Sequence, residues 1–197
     1  IPVLRMTSDS SPHSCDDVDV LNCTQCPRLA GFLQTVKTRY PDYHARPVSA
    51  FGDADAKLLI VGLAPGEKGA NRTGRPFTGD IAGELLYPAL YRFGFAAVPE
   101  PLASDGWANP AMILADCRIT NAVRCLPPAN KPTIAEIRQC NAHLQAELAA
   151  MPRLRAIVAL GAIARLAMPV FHAKRVRQPH DLDHRLGRRE DAVHLRH

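Results

Sequence analysis

A three-layer α/β/α sandwich around a mainly parallel central sheet, formed as a single domain, is the fold this sequence predicts. Three observations predict it. Short continuous apolar runs recur at residues 56–66 (AKLLIVGLAPG), 117–125 (CRITNAVRC) and 156–161 (AIVALG), as buried parallel strands do. Segments with apolar residues at helical spacing stand between them, and such alternation calls for a parallel sheet with helices on its faces. The first run also ends in a glycine-rich loop, which places a ligand crevice at the carboxyl ends of the strands.

Taken in order, residues 1–20 are polar and irregular and read as a loose N-terminal arm. Cys26-Pro27 opens a helix, CPRLAGFLQTVKTRYP, that Pro41 stops. The first strand feeds the loop GEKGANRTGRPFTGD, which carries Lys68, Arg72 and Arg75. Residues 81–95 (IAGELLYPALYRFGF) read as an apolar helix with Pro88 as a point of kinking. Residues 96–117 hold Pro, Gly, Asn and the single Trp, and read mostly as loop. After the second strand, LPPANKPT is a rigid connector. Thr133 then caps a helix running to about residue 150, with Glu136 three residues on completing a capping box. The third strand leads into a short helix over residues 162–168. From Phe171 onward the text changes: five of the eight histidines and seven of the 24 Lys and Arg residues fall there without an apolar run. That composition reads as a solvated basic tail. The domain is therefore expected over residues 21–170, between arm and tail.

Composition narrows the partners. At 197 residues, 47% hydrophobic and 22% charged, the chain suits one ordinary globular domain. A net charge of +5 and a pI near 9.0 fit an anionic partner, but the charge is too modest to name nucleic acid. No apolar run reaches the roughly 18 residues a membrane span needs. The first residues lack the apolar core of a signal peptide, so export is not expected. The chain opens on Ile1 rather than Met, as a fragment or an alternative start codon would.

Two features carry chemistry. Cys23 and Cys26 form a CxxC pair in CTQCPRL, and Cys125 and Cys140 stand far downstream, the latter on the capped helix. Four thiolates from distant segments can converge on one centre, and either zinc or an iron–sulfur cluster accepts four. Cys15 and Cys117 fit no such arrangement. The second feature is GLAPGEKGANRTGRPFTGD. Glycine-rich backbone after a strand can hold an anion or a carbonyl oxygen. Neither GxxxxGK[ST] nor a well-formed GxGxxG is present, so a nucleotide loop is not indicated. The loop instead sets an aromatic ring, Phe77, three residues before a carboxylate, Asp80, which also stands where a helix cap would.

CTQCPRL, GLAPGEKGANRTGRPFTGD, ITNAVRCLPPANKPT and the spaced Cys140 together resemble the iron–sulfur-containing uracil-DNA glycosylases. NRTGR and FTGD look most similar to the family 5 (type B) branch, and Leu63 stands where the family 4 branch carries an acidic residue. Gly66 departs from the alanine of family 5. The resemblance covers about residues 20–168. It implies an α/β/α fold and a [4Fe–4S] cluster on Cys23, Cys26, Cys125 and Cys140. It also implies hydrolysis of the N-glycosidic bond of uracil, and of other deaminated bases, in DNA. Asp80 is then the carboxylate near the sugar and the attacking water, Asn121 reads the base edge, and Phe77 stacks on the base. Gly62, Leu63 and Ala64 bring backbone close to it. Arg72, Arg75, Arg124 and Lys131 are candidates for phosphate contacts, which would make binding fall with salt. The family further implies a prokaryotic, cytoplasmic, nucleoid-associated monomer with no membrane partner.

One family element is missing. Its C-terminal loop with His-Pro-Ser has no counterpart after GAIARLA, and AVHLRH around His194 matches only in one histidine. A truncated or frameshifted C-terminus is the expectation. Two rivals follow: a catalytically impaired, truncated relative that binds DNA while retaining the cluster fold, and a zinc-bound structural module.

Overall fold

A computed structural model describes residues 20–161 and residue 164; the arm before Val20, the helix expected over 162–168 apart from Ala164, and the basic tail lie outside the described residues. Four strands form one sheet: β1 (Phe51–Gly52), β2 (Leu58–Gly62), β3 (Cys117–Asn121) and β4 (Ala156–Ala159), in the order β1-β3-β2-β4. β2 runs parallel to β3 and to β4, in registers that set Gly62 beside Asn121 and Val61 beside Ala159. β1 joins the far edge antiparallel, with Phe51 beside Ile119. The two-residue β1 escapes the sequence because it is too short to show a period.

Alternation along β2 sorts its side chains between two cores. Ile60 and, from β3, Ile119 pack with Tyr87 and Leu90 of helix α3 (Ile81–Arg92) on one face. Leu59 and Val61 pack with Leu144 and Leu148 of helix α4 (Ile134–Ala149) on the other. Each face of the sheet thus carries a helix, and both inner strands read as apolar runs because they are buried on both sides. Truncating the fully buried Leu59 or Ile119 to Ala would cost about 2–5 kcal/mol. A third apolar cluster joins helix α1 (Pro27–Arg39), through Leu29, Leu33 and Val36, to Val123, Cys125, Leu126 and Cys140.

Local rules explain the element ends. Pro27 opens α1, and the Thr133–Glu136 capping box opens α4 with both reciprocal hydrogen bonds, 3.2 and 2.8 Å. Helix α2 (Ala70–Thr73) is a single turn closed by Gly74 in the left-handed conformation. Pro88 lies inside α3 and does not interrupt it. Both Pro88 and Glu84, whose carbonyl loses its donor, are exposed, so that carbonyl is open to solvent.

Candidate active site and cysteine centre

The parallel strands β2 and β3 end together at Gly62 and Asn121, and the chain leaving each turns away from the sheet. Backbone bonds continue the pairing one step past the strands, with Ala122 N–H donating to Gly62 O and Val123 N–H to Leu63 O, both 2.9 Å. The crevice left above these ends is a cavity of ≈ 360 Å³ lined by Gly62, Leu63, Ala64, Ala70, Phe77, Asp80, Ala82, Asn121 and Leu160. All six pocket residues named from the sequence share this one cavity. Ala70, Ala82 and Leu160 were not named; small apolar residues carry no chemical signature.

Asp80 is both cap and pocket wall. It precedes α3, and its Oδ1 accepts the Gly83 N–H at 2.8 Å, the one hydrogen bond to this carboxylate among the described residues. Oδ2 therefore stays available to a ligand. Asn121 is 4% exposed, and among the described residues its amide makes no hydrogen bond, so donor and acceptor both remain for whatever enters. Gly62 is needed beneath it: a Cβ there would collide with Asn121 Oδ1 and with the Phe77 ring. Phe77 sits at φ +56°, a left-handed conformation that a bulky residue rarely takes.

The glycine-rich loop is locked from within and from outside. The hydroxyls of Thr73 and the fully buried Thr78 bond one another, and Thr78 Oγ1 also donates to Arg75 O at 2.8 Å. Arg72 stacks over Trp107, 5.4 Å from the ring centroid, and donates to Gly106 O. Arg75 stacks over Phe51 at 4.3 Å and donates to Asn109 O at 2.6 Å. These two arginines, read from the sequence as phosphate contacts, bind the 103–109 loop to the pocket loop instead. Arg124 is also corrected. It is buried at 3% exposure and pairs with Glu147, which Arg118 grips from the other side at 2.6 Å. Lys131 has an exposed side chain that makes no hydrogen bond or ion pair among the described residues.

Cys23, Cys26, Cys125 and Cys140 line a second cavity together with Gln25, Leu29, Arg124, Gln139 and His143. Fold contacts stitch its two halves. Arg28, two residues after Cys26, makes a two-pronged bond to Glu136 at 2.8 and 2.7 Å, and Gln139 donates to Gln25 at 2.7 Å. These contacts fix the CxxC turn against the first turns of α4, where Cys140 lies. The thiols feel one another. Burial pushes Cys125 up to about 12, and Cys140, Cys23 and Cys26 add to it. Burial also raises Cys140, opposed by the Arg124 N–H, which bonds its Sγ at 3.3 Å. Four thiolates are thus unfavourable here without a cation among them. Among the described residues no group of three or more His, Cys, Asp or Glu is arranged to hold a metal ion. Cys117 stands apart in the core beneath α3, its thiol raised to about 12 by burial alone. Cys15 lies outside the described residues.

The molecule is thus a mixed α/β domain with a carboxylate, an amide and an aromatic ring around a crevice at its strand ends. The comparisons give that domain a family. The family model described as "Uracil DNA glycosylase superfamily" matches residues 49–194. The chain is 46% identical to a type-5 uracil-DNA glycosylase of Thermus thermophilus over 72% of this chain and 65% of the relative. It is 42% identical to one of Pyrobaculum aerophilum over 74% and 64%. A type-4 uracil-DNA glycosylase of Archaeoglobus fulgidus is 33% identical over 77% and 62%. The chain belongs to the uracil DNA glycosylase superfamily. It spans a little under two thirds of the length of these relatives, which come from bacteria and archaea. Among the described residues no helix is long and apolar enough to cross a membrane.

Proposed function

We propose that this chain is a monofunctional DNA-repair glycosylase of the type-5 kind, removing uracil, and other deaminated bases, from DNA to leave an abasic site. The observation that carries the reading is the meeting of Asp80, Phe77 and Asn121 around one crevice in a chain of this family. Such a crevice suits a nucleotide turned out of the duplex. The Phe77 ring offers a stacking face, and the Asn121 amide offers the donor–acceptor pair that uracil's polar edge requires. As the C1′–N1 bond breaks, its electron pair leaves with the base and positive charge grows on the deoxyribose. The Asp80 carboxylate opposes that charge and orients water through Oδ2, while the cap bond through Oδ1 fixes its angle. Water's oxygen then bonds C1′, its proton passes to the Asp80 carboxylate, and solvent carries that proton on to the departed uracil anion.

The four cysteines fit a [4Fe–4S] cluster. The donor set is right: four thiols that line one cavity are the ligands such a cluster takes, and the family resemblance favours the cluster over zinc. When bound, the cluster supplies a covalent cross-link among α1, the chain after β3 and α4; hydrolysis moves no electron. The protein acts in this reading as a cytoplasmic monomer on DNA.

Single-turnover release of uracil from a single-stranded oligonucleotide tests the activity, with thymine as the control base. Binding without release at large enzyme excess would sink the reading in favour of a DNA-binding relative. Iron and sulfide analysis tests the centre; stoichiometric zinc with no visible absorbance would replace the cluster.

A further inference from the structure

Phe77 faces the crevice from a backbone conformation that an aromatic residue does not choose by itself, at φ +56°. Something must hold it. Three residues on one side of α3 do. Asp80 caps the helix through Gly83 N–H. Gly83 receives the Phe77 carbonyl so closely that any Cβ there would collide with it. One turn further, Tyr87, fully buried, donates its hydroxyl to the carbonyl of Pro76 at 2.8 Å. Pro76 is itself buried, and its carbonyl belongs to the peptide that enters Phe77. The same helical side thus fixes the carboxylate and both peptides flanking the ring.

We propose that Tyr87 is a positioning residue that sets the Phe77 ring for stacking, an inference that rests on the pocket reading above. Tyr87 never reaches the crevice; it acts through Pro76 O. Without its hydroxyl, a buried carbonyl loses its donor and the left-handed turn loses one of its restraints. The ring then samples other orientations, and a stacked base loses part of its contact. Burial first raises the Tyr87 pKa, with Arg75 opposing, so the hydroxyl stays protonated and remains a donor at neutral pH.

Tyr87→Phe removes the hydroxyl and nothing else. In single-turnover excision, half-saturation by a uracil-containing oligonucleotide rises about tenfold, in line with losing part of a base–aromatic contact. The rate at saturation stays within about twofold, since Asp80 keeps its cap. A role confined to stability would lower the melting temperature and leave half-saturation alone, and that result overturns the proposal. A second readout does not depend on activity. With 4-fluorophenylalanine placed at position 77 alone, its ¹⁹F resonance shifts or broadens in Tyr87→Phe. An unmoved Phe77 resonance overturns the proposal even if the wild type excises nothing, whereas excision failing in the wild type refutes only the pocket reading. Should Tyr87→Phe not fold, 4-aminophenylalanine at position 87 keeps a donor in place. It is expected to restore the wild-type Phe77 resonance, and a folded variant with that resonance displaced refutes Tyr87's role.

Discussion

The crevice around Asp80 draws eight of its nine lining residues from β2, β3 and the segment between Gly62 and Ala82, with only Leu160 from further along the chain. The cysteine centre instead joins segments more than a hundred residues apart, stitched by bonds such as Arg28–Glu136, whose partners are separated by 108 positions. The two sites flank the same few residues after β3, where Asn121 faces one and Cys125 the other. They nevertheless sit over different cores: Phe77 packs at the edge of the cluster with Tyr87 and Ile119, the cysteines in the cluster with α1. The crevice is built mainly from short-range segments, with the loop after β2 held by its own hydroxyl bonds. Non-local construction gives the cysteine centre a stability that depends on long-range ties, because loop closure must be offset before distant contacts stabilise anything.

That contrast can be broken most sharply at Asp80. Asparagine caps a helix about as well as aspartate but carries no charge. Asp80→Asn is therefore expected to lower uracil release by ~10²–10⁴-fold while the melting temperature barely moves. Equal losses in both would mean that Asp80 is only a cap.

Next in size is the buried triad beneath the cysteine centre. Glu147 lies between Arg118 and Arg124, all three nearly inaccessible. Glu147→Gln removes the buried carboxylate charge that Arg124 and Arg118 both pair with and is expected to cost about 3–5 kcal/mol in denaturant unfolding. The pH dependence has a definite sign. Burial pushes the Glu147 carboxyl up, but Arg124 and Arg118 outweigh it and hold it below its ordinary value of 4.5. A depressed carboxyl contributes stability that is complete above 4.5 and is lost as pH falls through its folded-state value. The wild type should lose stability in that acid window, and Glu147→Gln should show a shallower acid limb.

Gly62→Ala tests how far the crevice depends on close approach. The added methyl must displace Asn121 or Phe77, and misplacing either by about 1 Å is expected to slow excision ~10²-fold. The iron content expected of the proposed cluster should not change, which elemental analysis can check. The smallest effect belongs to Arg28→Met. Its guanidinium is half exposed, so losing the bond to Glu136 should cost no more than about 1 kcal/mol. Faster loss of the proposed cluster's iron to a chelator, with excision unchanged before that loss, would locate the damage at the cysteine side alone.

Much of this was legible from residues. Apolar runs announce β2, β3 and β4 because strands buried on both faces have no polar positions to interrupt them. Thr133 and Glu136 announce a capping box because both partners lie within one turn. The crevice residues could be named because they fall in a few contiguous motifs. The arginines misled for a physical reason: charge in a loop reads as solvent-facing, and nothing local reveals that Trp107, Phe51 and Asn109 will come to meet Arg72 and Arg75. Tyr87 was invisible for the same reason, being one aromatic among others on an apolar helix.

By itself, then, the sequence determined the kind of fold, the four thiols and the crevice motif, all of which are written in short-range patterns of residue type and spacing. Tertiary structure alone decided which arginines belong to the fold, which helix side restrains Phe77, and that four cysteines far apart in the chain open on one cavity. Those outcomes depend on contacts between distant segments, and such contacts exist only once the sheet has brought the segments together.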